Sequence, residues 1–154
     1  MQFINYFFAS LASFSGLLIG MLLIKIAPEE QKPLEKYLVW ARKIILLLVF
    51  VFSMFYFFNN YLNLLILLGY FAFTLLLEYN LKGLFRKTIV TYTLLGILFF
   101  LSSKNMNLFV IESSIILLYG IPTASLLYRK KEPNYKIITY NIGFLIISNL
   151  LFLL

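Results

Sequence analysis

Six long apolar stretches fill most of this 154-residue chain, and short polar connections separate them. Each stretch is close to the roughly 20 residues that an α-helix needs to cross the hydrocarbon core of a bilayer. Of all residues, 62% are hydrophobic and 12% are charged, whereas about 25% are charged in soluble globular domains. The sequence therefore predicts an all-α fold, a polytopic transmembrane helical bundle.

The predicted spans use almost the whole sequence. A membrane-length window places them at residues 4–26, 38–58, 61–79, 87–102, 107–128 and 135–154. This leaves no room for a separate soluble domain, so we expect residues 1–154 to form a single integral membrane domain. The N-terminus lacks the charged segment of a signal peptide and its apolar run continues to Ile24, so we interpret it as the first span.

The basic residues predict how the chain is oriented. Of the 13 Lys and Arg residues, 12 gather at connections one, three and five, and Lys104 is in the fourth. Because Lys and Arg in short loops stay cytoplasmic, these three connections should face the cytoplasm and both termini should lie outside. The Asn-, Lys- and Ile-rich composition is typical of a prokaryotic, AT-rich genome. We expect the protein in the cell membrane. The formal net charge of +7 then indicates anionic lipid of the bilayer as a partner, and not nucleic acid.

Three ten-residue windows resemble one another without gaps. They begin at Gly16, Gly69 and Gly120, and each ends with a charged residue at the predicted cytoplasmic surface. This similarity indicates three parallel helical-hairpin repeats. The alternative is that Leu-rich helices ending in a charge look alike by chance.

The first span carries a stripe of small residues at spacings of three and four. Small side chains let a second backbone approach closely, which is how helices associate when lipid removes the hydrophobic drive between them. We expect this stripe to pack inside the same bundle. The alternative is an interface with a second copy, giving a homo-oligomer, or with a membrane protein partner. The helix-packing residues are Ala9, Ala12, Ser13, Gly16 and Gly20.

The first connection should continue into the second span as an interfacial helix. Tyr37 and Trp40 are amphipathic rings of the kind found at headgroup depth, and we expect Arg42 and Lys43 to snorkel towards water. A docking site for a cytoplasmic partner is the alternative to this ordinary anchored loop.

Glu112 is the leading site candidate, because it falls about one turn inside the predicted fifth span. An ionised group at the centre of a membrane helix costs roughly 2.5 to 3.5 kcal/mol, so it usually faces protein or water and finds a partner. The alternative is a wet surface carboxylate paired with Lys104. The candidate intramembrane polar site comprises Glu112, Ser113, Ser114, Asn141, Asn149 and Thr91.

The composition offers few residue types that support catalysis. The chain has no His, Asp or Cys, so triads, thiol nucleophiles and the usual metal-ligand clusters are excluded, and we expect no metal, no cofactor and no enzyme activity. Two functions remain. The first is a small carrier or channel in which Glu112 borders an outward-opening polar cavity. The alternative is a noncatalytic membrane subunit or scaffold that packs against a partner protein.

Overall fold

The computed structural model describes residues 2–58, 61–129 and 133–154. It is 92% helical, and the described part contains no strand. The last membrane helix is interrupted at Ile142, so it forms two stretches, α6 and α7. The helices are α1 Phe3–Ile26, α2 Gln31–Phe57, α3 Tyr61–Asn80, α4 Leu84–Ser102, α5 Met106–Arg129, α6 Asn134–Asn141 and α7 Gly143–Leu153, with a 3₁₀ turn at Pro28–Glu30.

The predicted all-α helical bundle is confirmed. Five described helices are long and apolar enough to cross a membrane: α1, α2, α4, α5, and α6 with α7 taken together. The third predicted span forms helix α3, but its described apolar stretch, Leu64–Leu77, is shorter than the others.

Neighbouring helices alternate in direction. Phe50 of α2 packs on Phe71 of α3 with ring centroids 4.7 Å apart, and the Tyr70 hydroxyl of α3 donates a 2.5 Å hydrogen bond to the Leu94 carbonyl of α4. Arg42 of α2, Tyr79 of α3 and Lys87 of α4 line one groove, so the start of α2, the end of α3 and the start of α4 lie together. Helix α3 is therefore antiparallel to both α2 and α4. Since α2 and α4 run the same way, α3 returns the chain from one end of the bundle to the other.

Helices α4 and α5 are also antiparallel. Phe99 of α4 packs on Phe109 of α5, with centroids 4.9 Å apart, across the short connection between the two helices. In contrast, α1 and α5 are parallel, since Ser13 contacts Ser113 and Gly20 contacts Ser125 further along both helices. The first, third and fifth connections therefore lie at one end of the bundle, and the described basic residues beside them, among them Lys25, Lys82 and Lys136, lie at that end.

Helix α5 is the centre of the bundle. Of the apolar segment of α5 that would cross the membrane, 61% is buried, against 22–44% for the other four long helices. Helix α5 contacts α1, α2 and α4. The closest approach is to α1, where a Cβ atom built on Gly16 would lie 1.9 Å from the Leu117 carbonyl oxygen. A Cβ atom on Gly120 would lie 2.6 Å from the Gly16 carbonyl carbon. Glycine at these positions lets the two backbones touch.

The three glycines that begin the similar windows have different surroundings. Gly16 and Gly120 face each other across the α1–α5 contact, whereas a Cβ atom on Gly69 of α3 would meet nothing within 4 Å. The similarity between these windows therefore does not extend to equivalent packing of α1, α3 and α5.

Candidate functional site

Glu112 lies on the buried face of α5, where three helices meet. Its side chain is only 1% exposed. Ser53 of α2 donates a hydrogen bond to the carboxyl oxygen Oε1. The Ser102 hydroxyl at the end of α4 lies beside the same carboxyl group and donates its hydrogen bond to the Phe99 carbonyl (2.8 Å). Because α5 is central, its inward face can meet polar groups from both α2 and α4.

The second oxygen of this carboxyl group is not satisfied. Within the described part of the chain, Glu112 Oε2 has no hydrogen-bond partner. A buried polar atom without a partner costs about 1–3 kcal/mol, and more when it is charged. The described residues therefore leave one oxygen of this buried carboxyl group unsatisfied.

Ser53 allows the site to hold the carboxyl group in either charge state. The serine has one hydroxyl hydrogen, and its oxygen also lies 2.9 Å from the Val49 carbonyl oxygen. When Glu112 is ionised, Ser53 donates to it. When Glu112 is protonated, the acid can donate to Ser53, which then donates to Val49. The hydrogen bond between Ser53 and Glu112 can therefore form in both charge states.

The surroundings of Glu112 differ from those expected from the sequence. We expected an outward-opening cavity beside this residue, whereas the helices enclose it. Lys104 is exposed and does not pair with it. Ser113 donates to the Phe109 carbonyl (2.6 Å), and the exposed Ser114 donates to the Val110 carbonyl (2.9 Å). Both serine hydroxyls therefore donate to backbone carbonyl groups of their own helix, α5.

Asn149 belongs to a separate polar contact between α7 and α1. Its Nδ2 donates to Ser10 Oγ at 3.1 Å and to the Leu145 carbonyl at 2.8 Å. On the same pair of helices, the buried Tyr6 hydroxyl donates to the Ser148 carbonyl at 3.0 Å. These hydrogen bonds hold the last helix against the first.

Thr91 and Asn141 are buried, but each is bonded to its own helix. The Thr91 hydroxyl donates to the Lys87 carbonyl (2.8 Å) and Asn141 Nδ2 donates to the Ile137 carbonyl (2.7 Å). The six candidate residues are thus distributed over several polar contacts. Ser53 is not among the predicted site residues. It is the only residue with a polar side chain between Ile44 and Met54, and its place in an apolar run was the available sequence signal.

The stripe of small residues on α1 has two parts. Gly16 and Gly20 lie against the backbone of α5, and Ser13 donates to the Ala9 carbonyl (2.9 Å) and across to α5 (3.0 Å). Ala9 and Ala12 instead line a groove of about 330 Å³ between α1 and α5. One part of the stripe therefore packs inside the bundle and the other borders an open surface.

Arg42 does not extend into solvent as we expected. Its side chain is 4% exposed, whereas the adjacent Lys43 is exposed. Tyr37 and Trp40 are 69% and 60% exposed, as rings in contact with headgroups would be. The difference arises because Arg42 is on the face of α2 that meets the other helices.

The described residues contain no group of three or more His, Cys, Asp or Glu side chains that could hold a metal ion. No family model matches the chain, and comparison with curated proteins and solved structures finds no match either. The fold defines the class as a helical integral membrane protein.

Proposed function

We propose that the protein is a small cell-membrane carrier that binds a monovalent cation, a proton or a sodium ion, at Glu112. The observation that carries this proposal is the buried carboxyl group with one unpartnered oxygen, Oε2, next to two serine hydroxyls. No Lys or Arg of the described part pairs with this carboxyl group. A buried negative charge without a partner is strongly destabilising, so a bound cation would stabilise the ionised form.

The enclosed position favours a carrier over a channel. A channel needs a continuous polar path, whereas a carrier holds its ion away from water and exposes it to one side at a time. At 1% exposure, Glu112 fits the occluded stage of such a cycle. The positive-inside rule places the basic connections in the cytoplasm, so Glu112 would lie nearer the outer face, about 9 Å along α5 from its first residue.

Flux through proteoliposomes tests this proposal. The purified protein is reconstituted with a trapped pH-sensitive or sodium-sensitive dye, and a proton or sodium gradient is imposed. We compare the unmodified protein with Glu112→Gln, which keeps the side-chain shape and removes the charge. Glu29→Gln is the matched control, because it removes one carboxylate from an exposed position outside the long helices.

The expected result is flux of one of the two ions that Glu112→Gln reduces by at least about tenfold, since loss of a buried charged ligand is worth more than 1.4 kcal/mol. Glu29→Gln should retain the flux. Equal flux in the Glu112→Gln protein, with unchanged gel-filtration behaviour, would refute the role of Glu112. Absence of both fluxes in the unmodified protein would refute the carrier.

A second candidate function, a noncatalytic membrane subunit, is supported by the groove that Ala9 and Ala12 line. Small residues at an open surface allow close approach of a partner helix. Ala12→Leu should release a partner captured in mild detergent, while Ala72→Leu, at an exposed position of α3, should not. Retention of the partner by Ala12→Leu would exclude this groove as the interface.

A further inference from the structure

Two buried polar side chains near the middle of the bundle have an atom without a hydrogen-bond partner. Tyr92 lies near the middle of α4, and Asn141 lies at the end of α6, near the middle of the last membrane helix. Both side chains are 0% exposed. Within the described part of the chain, neither the Tyr92 hydroxyl nor the Asn141 oxygen Oδ1 has a hydrogen-bond partner. Such buried atoms are rare in folded proteins, so both of them call for a ligand.

The packing of α4 against the last helix places Tyr92 and Asn141 at the same depth. A Cβ atom built on Gly143 would lie 3.1 Å from the Thr93 hydroxyl oxygen, so the residues just before Gly143 and Thr93 lie side by side. The Tyr92 ring packs edge-on against the Phe144 ring, with centroids 6.2 Å apart. Phe144 follows Asn141 by about one helical turn on the same buried face. The two polar side chains therefore lie on neighbouring faces of α4 and α6.

The two unpartnered atoms require complementary hydrogen bonds. Asn141 Nδ2 donates to the Ile137 carbonyl at 2.7 Å, which fixes the other atom of the amide as an oxygen that can only accept. The Tyr92 hydroxyl can donate or accept. We infer that a water molecule binds between them, where it accepts a hydrogen bond from Tyr92 and donates one to Asn141. Neither side chain carries a charge, and buried water satisfies neutral polar groups of this kind in protein interiors.

The position of this site gives the water a role in transport. Tyr119 of α5 packs on Tyr92 with ring centroids 5.6 Å apart. It follows Glu112 by seven residues, which is about 10 Å along the same face of α5. Because α5 runs towards the basic connections, the water lies inward of Glu112 and provides a second group that can accept a proton. This role rests on the proposed function, whereas the water site itself does not.

Radiolytic footprinting of the detergent-purified protein tests the water site. A brief X-ray pulse produces hydroxyl radicals from water, including bound water, and mass spectrometry then measures the oxidation of each tyrosine. Tyr6 is the matched control within the same chain, because it is equally buried but its hydroxyl donates to the Ser148 carbonyl at 3.0 Å. Asn141→Leu removes the amide group and keeps a side chain of similar size. The measurement is repeated with choline in place of sodium.

Tyr92 should be oxidised faster than Tyr6 in the unmodified protein, and Asn141→Leu should lower the oxidation of Tyr92 to the level of Tyr6. The rates should be the same in sodium and in choline. Equal rates for Tyr92 and Tyr6, or a Tyr92 rate that Asn141→Leu leaves unchanged, would overturn the inference. A Tyr92 rate that rises when choline replaces sodium would overturn the water assignment in favour of a bound cation.

Unfolding in mixed micelles provides a second test of the water site. Tyr92→Phe removes only the hydroxyl group, and it should lower the equilibrium constant for folding about threefold, as loss of one hydrogen bond does in a membrane protein. In the Asn141→Leu protein the same change should have no effect, because the water has already lost one of its partners. A Tyr92→Phe protein as stable as the unmodified protein would show that the hydroxyl has no partner.

Proton flux in proteoliposomes tests the role of the water in transport. Tyr92→Phe should slow the flux that Glu112 supports, while Tyr61→Phe, at an exposed position of α3, should not. Unchanged flux in the Tyr92→Phe protein would refute this role without affecting the water site. Absence of flux in the unmodified protein would refute the carrier, and the footprinting result would still decide whether the water is bound.

Discussion

Replacement of Gly16 by alanine should strongly destabilise the bundle. The added Cβ atom would lie 1.9 Å from the Leu117 carbonyl oxygen, whereas ordinary van der Waals contact begins at 3.4 Å. The opposing atom is backbone, so rotation of a side chain cannot relieve the overlap. Helices α1 and α5 must separate locally by about 1.5 Å, which weakens the dispersion contacts along the crossing. We expect a loss near the upper end of the range for overpacked cores, about 3 kcal/mol.

The measurement is the free energy of unfolding in mixed micelles, obtained by raising the fraction of sodium dodecyl sulfate and following helicity by circular dichroism. Gly69→Ala is the matched control, because its new Cβ atom meets nothing within 4 Å. The free energy of unfolding of the Gly69→Ala protein should equal that of the unmodified protein or exceed it by up to about 1 kcal/mol, since alanine favours helix over glycine. Adding Gly120→Ala to Gly16→Ala should cost less than the sum of the two single losses, because both residues lie at one crossing.

Equal stability of the Gly16→Ala and Gly69→Ala proteins would refute this account of the α1–α5 contact. If Gly16→Ala instead lowered the oligomeric mass without changing the free energy of unfolding, the stripe would serve an interface between copies. The two outcomes are separable because the mass and the unfolding curve are measured on the same sample.

Three further predictions use single substitutions in this cysteine-free chain. Lys104→Cys should be labelled by an impermeant maleimide in intact cells and Lys82→Cys only after lysis; the reverse result would invert the proposed orientation. Glu112→Cys should label much more slowly than Lys104→Cys, because the site is 1% exposed, and equal rates would show an open cavity. Tyr6→Phe should destabilise the bundle by about 0.6 kcal/mol through loss of its 3.0 Å hydrogen bond to α7, while Tyr61→Phe, 87% exposed, should have no effect.

Much of the helix arrangement could be predicted because spans are local features. Each depends on the apolar length of one continuous segment, so the six predicted ranges coincide closely with the observed helices. The largest difference is at the start of α2, which begins at Gln31 rather than at residue 38. The polar residues before Lys36 extend this helix beyond the span, and hydropathy has no signal for a helix outside the hydrocarbon region.

The candidate site was predictable only at its charged residue. Glu112 stands out locally, because an acid in an apolar run is costly wherever that run packs. Its partner Ser53 is 59 positions away along the chain. A single serine in a membrane helix can equally bond its own backbone, as Ser113 and Ser114 do. Only the rotation and register of α2 against α5 decide which hydroxyl reaches the carboxyl group.

The sequence by itself determined that the chain forms membrane helices and that its basic connections alternate, because hydropathy and charge act segment by segment. The tertiary structure decided that α5 lies at the centre, that Gly16 meets Gly120 while Gly69 stays open, and that Arg42 is buried on the face of α2 that meets the other helices. In lipid, apolar faces are nearly equivalent as neighbours, so helix rotation depends on close packing and on a few polar contacts. Those interactions join distant residues, and no single segment contains them.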